Sequence, residues 1–215
     1  MNLNAVIARL GWTLPAITVI LSSLTHLLLG DYRAFPFLIS EADYPGLQRY
    51  IFTIGFFLSG IILIYLSWKF YKSNKDDTRW YWIHLSLICG IIVGINLSIM
   101  AFMNMYDHLE LHILTASNVF QFGLAWGILS HLAFENSQEW AKKLRYFSIS
   151  LGFFSFFMML LVFNMGIQEN PQFIDNEWDL DTLQPYINWA APMEYMLVAS
   201  FILTLVSFEA EMSKN

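Results

Sequence analysis

Asp107, His108 and His112 stand together in one short stretch, with Asn104 and Glu110 beside them. The two histidines are four apart, so on a helix they would share a face, as metal-binding imidazole pairs do. Imidazole and carboxylate together are also the chemistry of proton transfer and acid–base catalysis. A second group comes from far along the chain. Glu194 follows Asn188-Trp189-Ala190-Ala191-Pro192-Met193 and precedes an apolar run. A carboxylate near a helix N-terminus gains from the dipole and the free N–H groups there. Facing a polar cluster instead, it would suit a proton carrier, a general acid or a metal ligand. Asp107, His112 and Glu194 are therefore the catalytic candidates. With Ser40, Glu41 and Asn104 they form the candidate ligand-binding set. His26, Asp107, His108, His112 and Glu194 are the candidate metal ligands. The two-histidine signature is short, and a structural or solvated role explains it without a metal. No cofactor is predicted, and a divalent metal is the minor alternative.

The elements that must position these groups follow from composition. The 215-residue chain is 57 % apolar and 13 % charged, against about 25 % charged in a soluble domain. That excludes a disordered chain, a nucleic-acid binder and an ordinary cytosolic enzyme. A single cysteine, Cys89, excludes an internal disulfide framework or a cysteine-rich zinc module. About 20 mostly apolar residues are needed to cross the hydrocarbon. Six stretches qualify, near 12–29, 50–68, 81–103, 113–134, 146–166 and 190–208. The expected fold is all-α, a polytopic transmembrane bundle of six helices forming one domain over 1–215. Pro15 falls near the start of the first span and Pro192 in the first turn of the last, where a missing N–H costs little. The first apolar run lacks a clear small-residue cleavage site and reads as a retained span.

Orientation follows from the loops. Nine of the eleven cations fall with the N-terminus, loops 69–79 and 135–145, and the C-terminus; only Arg33 and Arg49 fall on the other side. By the positive-inside rule, both termini are expected in the cytoplasm. The opposite rim is acidic, and it holds the candidate residues. Its loop from Glu169 to Asp181 reads as a solvated segment, with Ile174, Trp178 and Leu180 suited to the membrane surface. Aromatic residues at Trp68, Phe70, Tyr71, Trp80, Tyr81 and Trp82 form an interfacial belt.

Polar side chains within the spans are costly, so their placement is informative. Asn96, Met100, Met103 and Asp107 are spaced to share one helix face, which should point into the bundle. Asn118 and Gln121, near the centre of the fourth span, are expected to hydrogen-bond to neighbouring helices. His84 and His131 read as interfacial hydrogen-bonding groups. Cys89 reads as a small buried side chain.

Several segments resemble one family. Phe35-Pro36-Phe37-Leu38-Ile39-Ser40-Glu41, then Tyr44-Pro45 and Arg49-Tyr50-Ile51-Phe52-Thr53-Ile54-Gly55, are similar to the first loop of the FRAG/DRAM/Sfk family. Asp107 with His112 is similar to its Asp and His pair at the third-to-fourth turn. Glu194-Tyr195, with Phe201 and Phe208 downstream, is similar to the Glu-aromatic step opening its last span. The family includes damage-regulated autophagy modulators, a Golgi factor that remodels GPI lipids, and the N-terminal region of CWH-type proteins. The resemblance implies six spans and a role in handling or responding to lipids, and it carries over no settled catalytic set.

The expected function is a multi-pass membrane protein that binds, organises or regulates lipids through a polar cluster at the extracytoplasmic rim. The alternative is an intramembrane lipid-modifying enzyme, a hydrolase or acyltransferase, using the same cluster. No nucleophile elbow or zinc-protease motif accompanies it. A transporter would need ionisable groups at mid-membrane, where the sequence places amides. The expected partner is a membrane lipid, with a second membrane protein or another copy of this chain beside it, and no nucleic acid.

Overall fold

A computed structural model describes residues 3–134, 137–170 and 179–212. Among them are six long helices: α1 Leu3–Leu29, α2 Leu47–Asn74, α3 Trp80–Met100, α4 Leu109–Ala133, α5 Glu139–Glu169 and α6 Leu180–Met212. Each is long and apolar enough to cross a membrane. Helices are forced here, because a backbone in hydrocarbon must satisfy its own N–H and C=O groups. Hydroxyls within the spans do the same. Thr18, Ser59 and Ser67 each donate to the carbonyl four residues back, at 2.7–2.8 Å.

The helices pack as a ring in chain order, closed by α1 against α6. Lipid tails are as apolar as leucine, so close packing and polar links hold the ring. Gly60 and Gly94 let α2 and α3 touch backbone to backbone: a Cβ on either would stand 2.5–2.6 Å from the other's carbonyl oxygen. Ser86 meets Ser130 at 2.9 Å and Asn118 donates to Asn96 at 3.0 Å, both joining α3 to α4. Ser148 meets Thr204 at 2.8 Å between α5 and α6. Trp12 donates to Glu209 at 2.6 Å and Tyr195 to Ser23 at 3.0 Å between α1 and α6. The seam between α4 and α5 is the exception. Their contact is narrow, and it is pinned at one end by Arg145 Nη1 donating to the Ser130 carbonyl at 3.3 Å.

Both termini lie at one end of the bundle. Asn4 bonds Ser73, Arg9 pairs with Glu209, and the Arg79 N–H donates to the Ala133 carbonyl. The α1–α2 loop occupies the opposite end. Its 3₁₀ helix, Ile39–Asp43, packs against α1, α2 and α6.

Helix limits differ from the apolar stretches in instructive ways. Helix α6 begins at Leu180, ten residues before the expected span, because Leu183 and Ile187 pack beneath Leu38 of the first loop. Pro192 is therefore an interior residue, and so is Pro15 in α1. Helix α3 ends at Met100. The Asn104 side chain organises the turn that follows, accepting the N–H groups of Tyr106 and Asp107 at 3.0 and 2.8 Å. Met103 and Asp107 consequently leave the face shared by Asn96 and Met100. Of the acidic loop expected from Glu169 to Asp181, residues 171–178, including Ile174 and Trp178, lie outside the described residues. Arg145 is not a loop residue. It sits inside α5, fully buried.

Candidate functional site

The site is built by the first loop entering the acidic end of the ring. Phe37, Leu38, Ile39, Glu41, Ala42 and Asp43 are all buried there. Burying that much irregular backbone requires partners for its polar groups. Glu41 curls back so that Oε1 accepts the Leu38 N–H at 3.0 Å, and Tyr106 donates to the Glu41 carbonyl at 3.0 Å. The Ile39 N–H is met by Glu194 Oε2 at 2.7 Å. Glu194 lies 14 residues into α6, about four turns. The helix-terminus explanation for its carboxylate is thus replaced by a tertiary one.

Two arginines tie the loop down. Arg33 contacts Glu41 at 3.3 Å, Asp181 at 2.9 Å and Gln184 at 2.7 Å. Gln184 in turn donates to the Pro36 carbonyl at 3.0 Å. Arg49 donates to the Asp43 carbonyl at 3.0 Å and sits 3.6 Å from its carboxylate and 3.7 Å from Asp107. Burial pushes the Glu41 carboxyl above its ordinary range, while the Leu38 N–H and Arg33 oppose the shift. The Asp43 carboxyl is raised to about 7 by burial, with Arg49 lowering it and Asp107 adding to the rise. Burial likewise raises the Tyr106 phenol, helped by Glu41 and Asp43.

Against this loop lies a cleft of about 910 Å³ between α4 and the loop-end parts of α5 and α6. Ser40, Asp107, His108, Glu110, His112 and Glu194 form its polar end. Phe120, Phe156, Met159, Leu160 and Phe163 form its apolar walls. A smaller cavity of about 100 Å³ shares Ser40, His112 and Glu194 and runs into the bundle core past Phe56 and Trp126. His112 Nδ1 lies 2.7 Å from the Met103 carbonyl. A carbonyl only accepts, so Nδ1 carries the proton and Nε2 is left as an acceptor.

The candidate residues thus separate. Ser40, His112 and Glu194 come together on one cavity, with Asp107 and His108 at its mouth. Asn104 binds Asp107 at 2.9 Å and shapes the turn; Glu41 secures the loop. His26 is buried on the other side of that loop, its ring 5.0 Å from Phe37 and 6.0 Å from Tyr44, with neither nitrogen hydrogen-bonded. Among the described residues, no three of His, Cys, Asp and Glu are grouped so as to hold a metal ion. Gln121 lines the cleft, and no hydrogen bond joins it to a neighbouring helix among the described residues. Sequence reading missed Arg33, Arg49, Tyr106 and Gln184. A signal was present for the arginines: two cations on a rim of eleven acids must find partners.

The three segments that carried the resemblance meet at this cavity: the Ile39-Ser40-Glu41 step, the Asp107 and His112 pair, and Glu194-Tyr195. The family model described as "Frag1/DRAM/Sfk1/Cwh43P N-terminal domain" matches residues 5–214. The chain belongs to this family. In this member of the Frag1/DRAM family, the match takes in all six helices and the inserted loop. No curated protein and no solved structure matches the chain.

Proposed function

We propose that this protein binds a membrane lipid in the cleft between α4 and α5, with both termini and the basic loops in the cytoplasm. The lipid's head lies at Ser40, His112 and Glu194, and its acyl chains lie along Phe120, Phe156, Met159 and Leu160. The observation that carries this reading is the cleft itself, polar at one end and apolar along its walls. Leu111, Ile113 and Leu160 line it and remain exposed, so its open side faces the surrounding hydrocarbon. Ala116 borders both the cleft and the inner cavity. Ala116→Trp should fill the space and sharply reduce the lipid that co-purifies, read by native mass spectrometry, while the helical circular dichroism is kept. Undiminished lipid on the variant would refute the site.

A second reading has one specific observation behind it. A hydroxyl, an imidazole with a free acceptor nitrogen, and a carboxylate share the cavity, which is the side-chain set of acyl transfer. On that reading His112 Nε2 is the base. Ser40→Ala and His112→Gln would then abolish lipid turnover while lipid stays bound. Unchanged turnover in both variants would remove it.

A further inference from the structure

We propose that the cleft selects a two-chain phospholipid whose head joins a phosphate to a primary ammonium, the phosphoethanolamine class. This rests on the lipid-binding reading above and names the head that reading leaves open.

The inner wall supplies acceptors. His112 and Glu194 are only 5 and 9 % exposed. Each spends one heteroatom on the backbone, at Met103 and Ile39. His112 Nε2 and Glu194 Oε1 have no hydrogen-bond partner among the described residues, and both side chains line the cleft. The Ser40 hydroxyl stands on the same wall. Neither His112 Nε2 nor Glu194 Oε1 is a fully buried unpartnered atom, so both are open to the cleft, where a donor on a ligand can reach them. A primary ammonium brings three N–H donors and no acceptor, which matches a carboxylate, an imidazole nitrogen and a hydroxyl oxygen.

The upper wall supplies donors. Helix α4 begins at Leu109 without a side-chain cap from His108. The N–H groups of Leu109, Glu110 and Leu111 have no partner among the described residues, and all three residues line the cleft. A helix N-terminus opening onto a cavity favours a phosphate. Positive and negative parts of one head therefore meet opposite parts of one wall.

Net charge is filtered as well. No lysine or arginine lines the cleft among the described residues, while Asp107 and Glu110 stand at its mouth. Arg49 reaches Asp107 from outside, at 3.7 Å. Arg49 is spent on Asp43 and Asp107, so a head with net negative charge finds no cation lining the cleft and meets the Glu110 carboxylate, whereas a zwitterion is neutral overall.

The test uses the full-length protein, stripped of lipid in detergent. It is offered an equimolar mixture of phosphatidylethanolamine, its N-methyl and N,N-dimethyl derivatives, phosphatidylcholine and phosphatidylglycerol. Native mass spectrometry reads what is retained. Phosphatidylethanolamine should exceed phosphatidylglycerol by about tenfold or more, the scale of one charged hydrogen bond. Retention should also fall stepwise as methyl groups replace N–H donors. Glu194→Gln should flatten that ladder while still retaining lipid. Equal retention of phosphatidylglycerol, or a flat ladder on the unmodified protein, would overturn the head assignment and leave the cleft reading standing. Retention of no lipid at all would instead overturn the cleft reading. Should Glu194→Gln misfold, the ladder on the unmodified protein decides alone.

Discussion

The two ends of the bundle handle buried charge in opposite ways. At the end bearing the termini, Arg145 is fully buried and each of its three nitrogens has a partner. Its guanidinium reaches Ser207 at 2.9 Å, Glu211 at 3.1 Å and the Ser130 carbonyl at 3.3 Å. The rings of Phe134 and Phe208 cover it at 5.5 and 5.7 Å, and Ser137 adds a further bond to Glu211. At the loop end, Glu194 and His112 are also buried but face a cavity with acceptor atoms left over. A network with every group answered locks helices together. A network with groups unanswered beside open space is the form a binding site takes.

That contrast can be broken by removing charge at each end in turn. The largest effect is expected at Arg145. Arg145→Met removes the buried cation that faces Glu211 and should cost about 3–5 kcal/mol, as broken buried pairs do. Thermal unfolding in detergent would read the loss, and pairing it with Glu211→Met should recover most of it. A freely tolerated Arg145→Met would mean that this end is no lock. Glu194→Gln should cost far less, about 1 kcal/mol, because the amide oxygen can still accept the Ile39 N–H. The same variant should change lipid retention, so stability and binding separate at this end alone. A loss in stability as large as at Arg145 would merge the two ends into one class.

The loop end should also respond to pH. Asp43 titrates at about 7 in the fold, against an ordinary value of 3.8. The folded state then holds this proton more tightly than the unfolded chain. Its contribution is most favourable below pH about 4, declines between about 4 and 7, and is level above 7. Melting temperatures at pH 5 and pH 8 should differ accordingly, and Asp43→Asn should narrow the gap. An unchanged gap would show that Asp43 is not its source. The smallest effect is expected at mid-membrane. Asn118→Leu removes the bond to Asn96 and should cost about 0.6 kcal/mol, the average for such bonds in bilayers.

The spans were legible because a bilayer imposes a length on every crossing segment, and that length is local in sequence. Helix ends were less so, since nothing stops a helix at the edge of the hydrocarbon. The start of α6 depends on Leu183 and Ile187 meeting Leu38, far away in the chain. Glu194 stood out for its chemistry, yet its partner, the Ile39 N–H, is 155 residues distant. Arg145 was grouped with Lys142 and Lys143 for the same reason: its partner Glu211 is 66 residues on. That Ser40, His112 and Glu194 share one end of the bundle was readable, because His112 and Glu194 fall near span ends and Ser40 lies in the loop joining the first two spans at that same end. His26 met that criterion too, but the inserted loop separates it from the cavity, and no pattern in the sequence reveals that partition.

The sparse meeting of α4 and α5 has one more consequence. On the lipid-binding proposal, a molecule dissolved in the surrounding leaflet enters sideways without crossing water. What governs occupancy is then its mole fraction in that leaflet, not its aqueous solubility. A small shift in bilayer composition would then fill or empty the cleft while the total lipid stays constant.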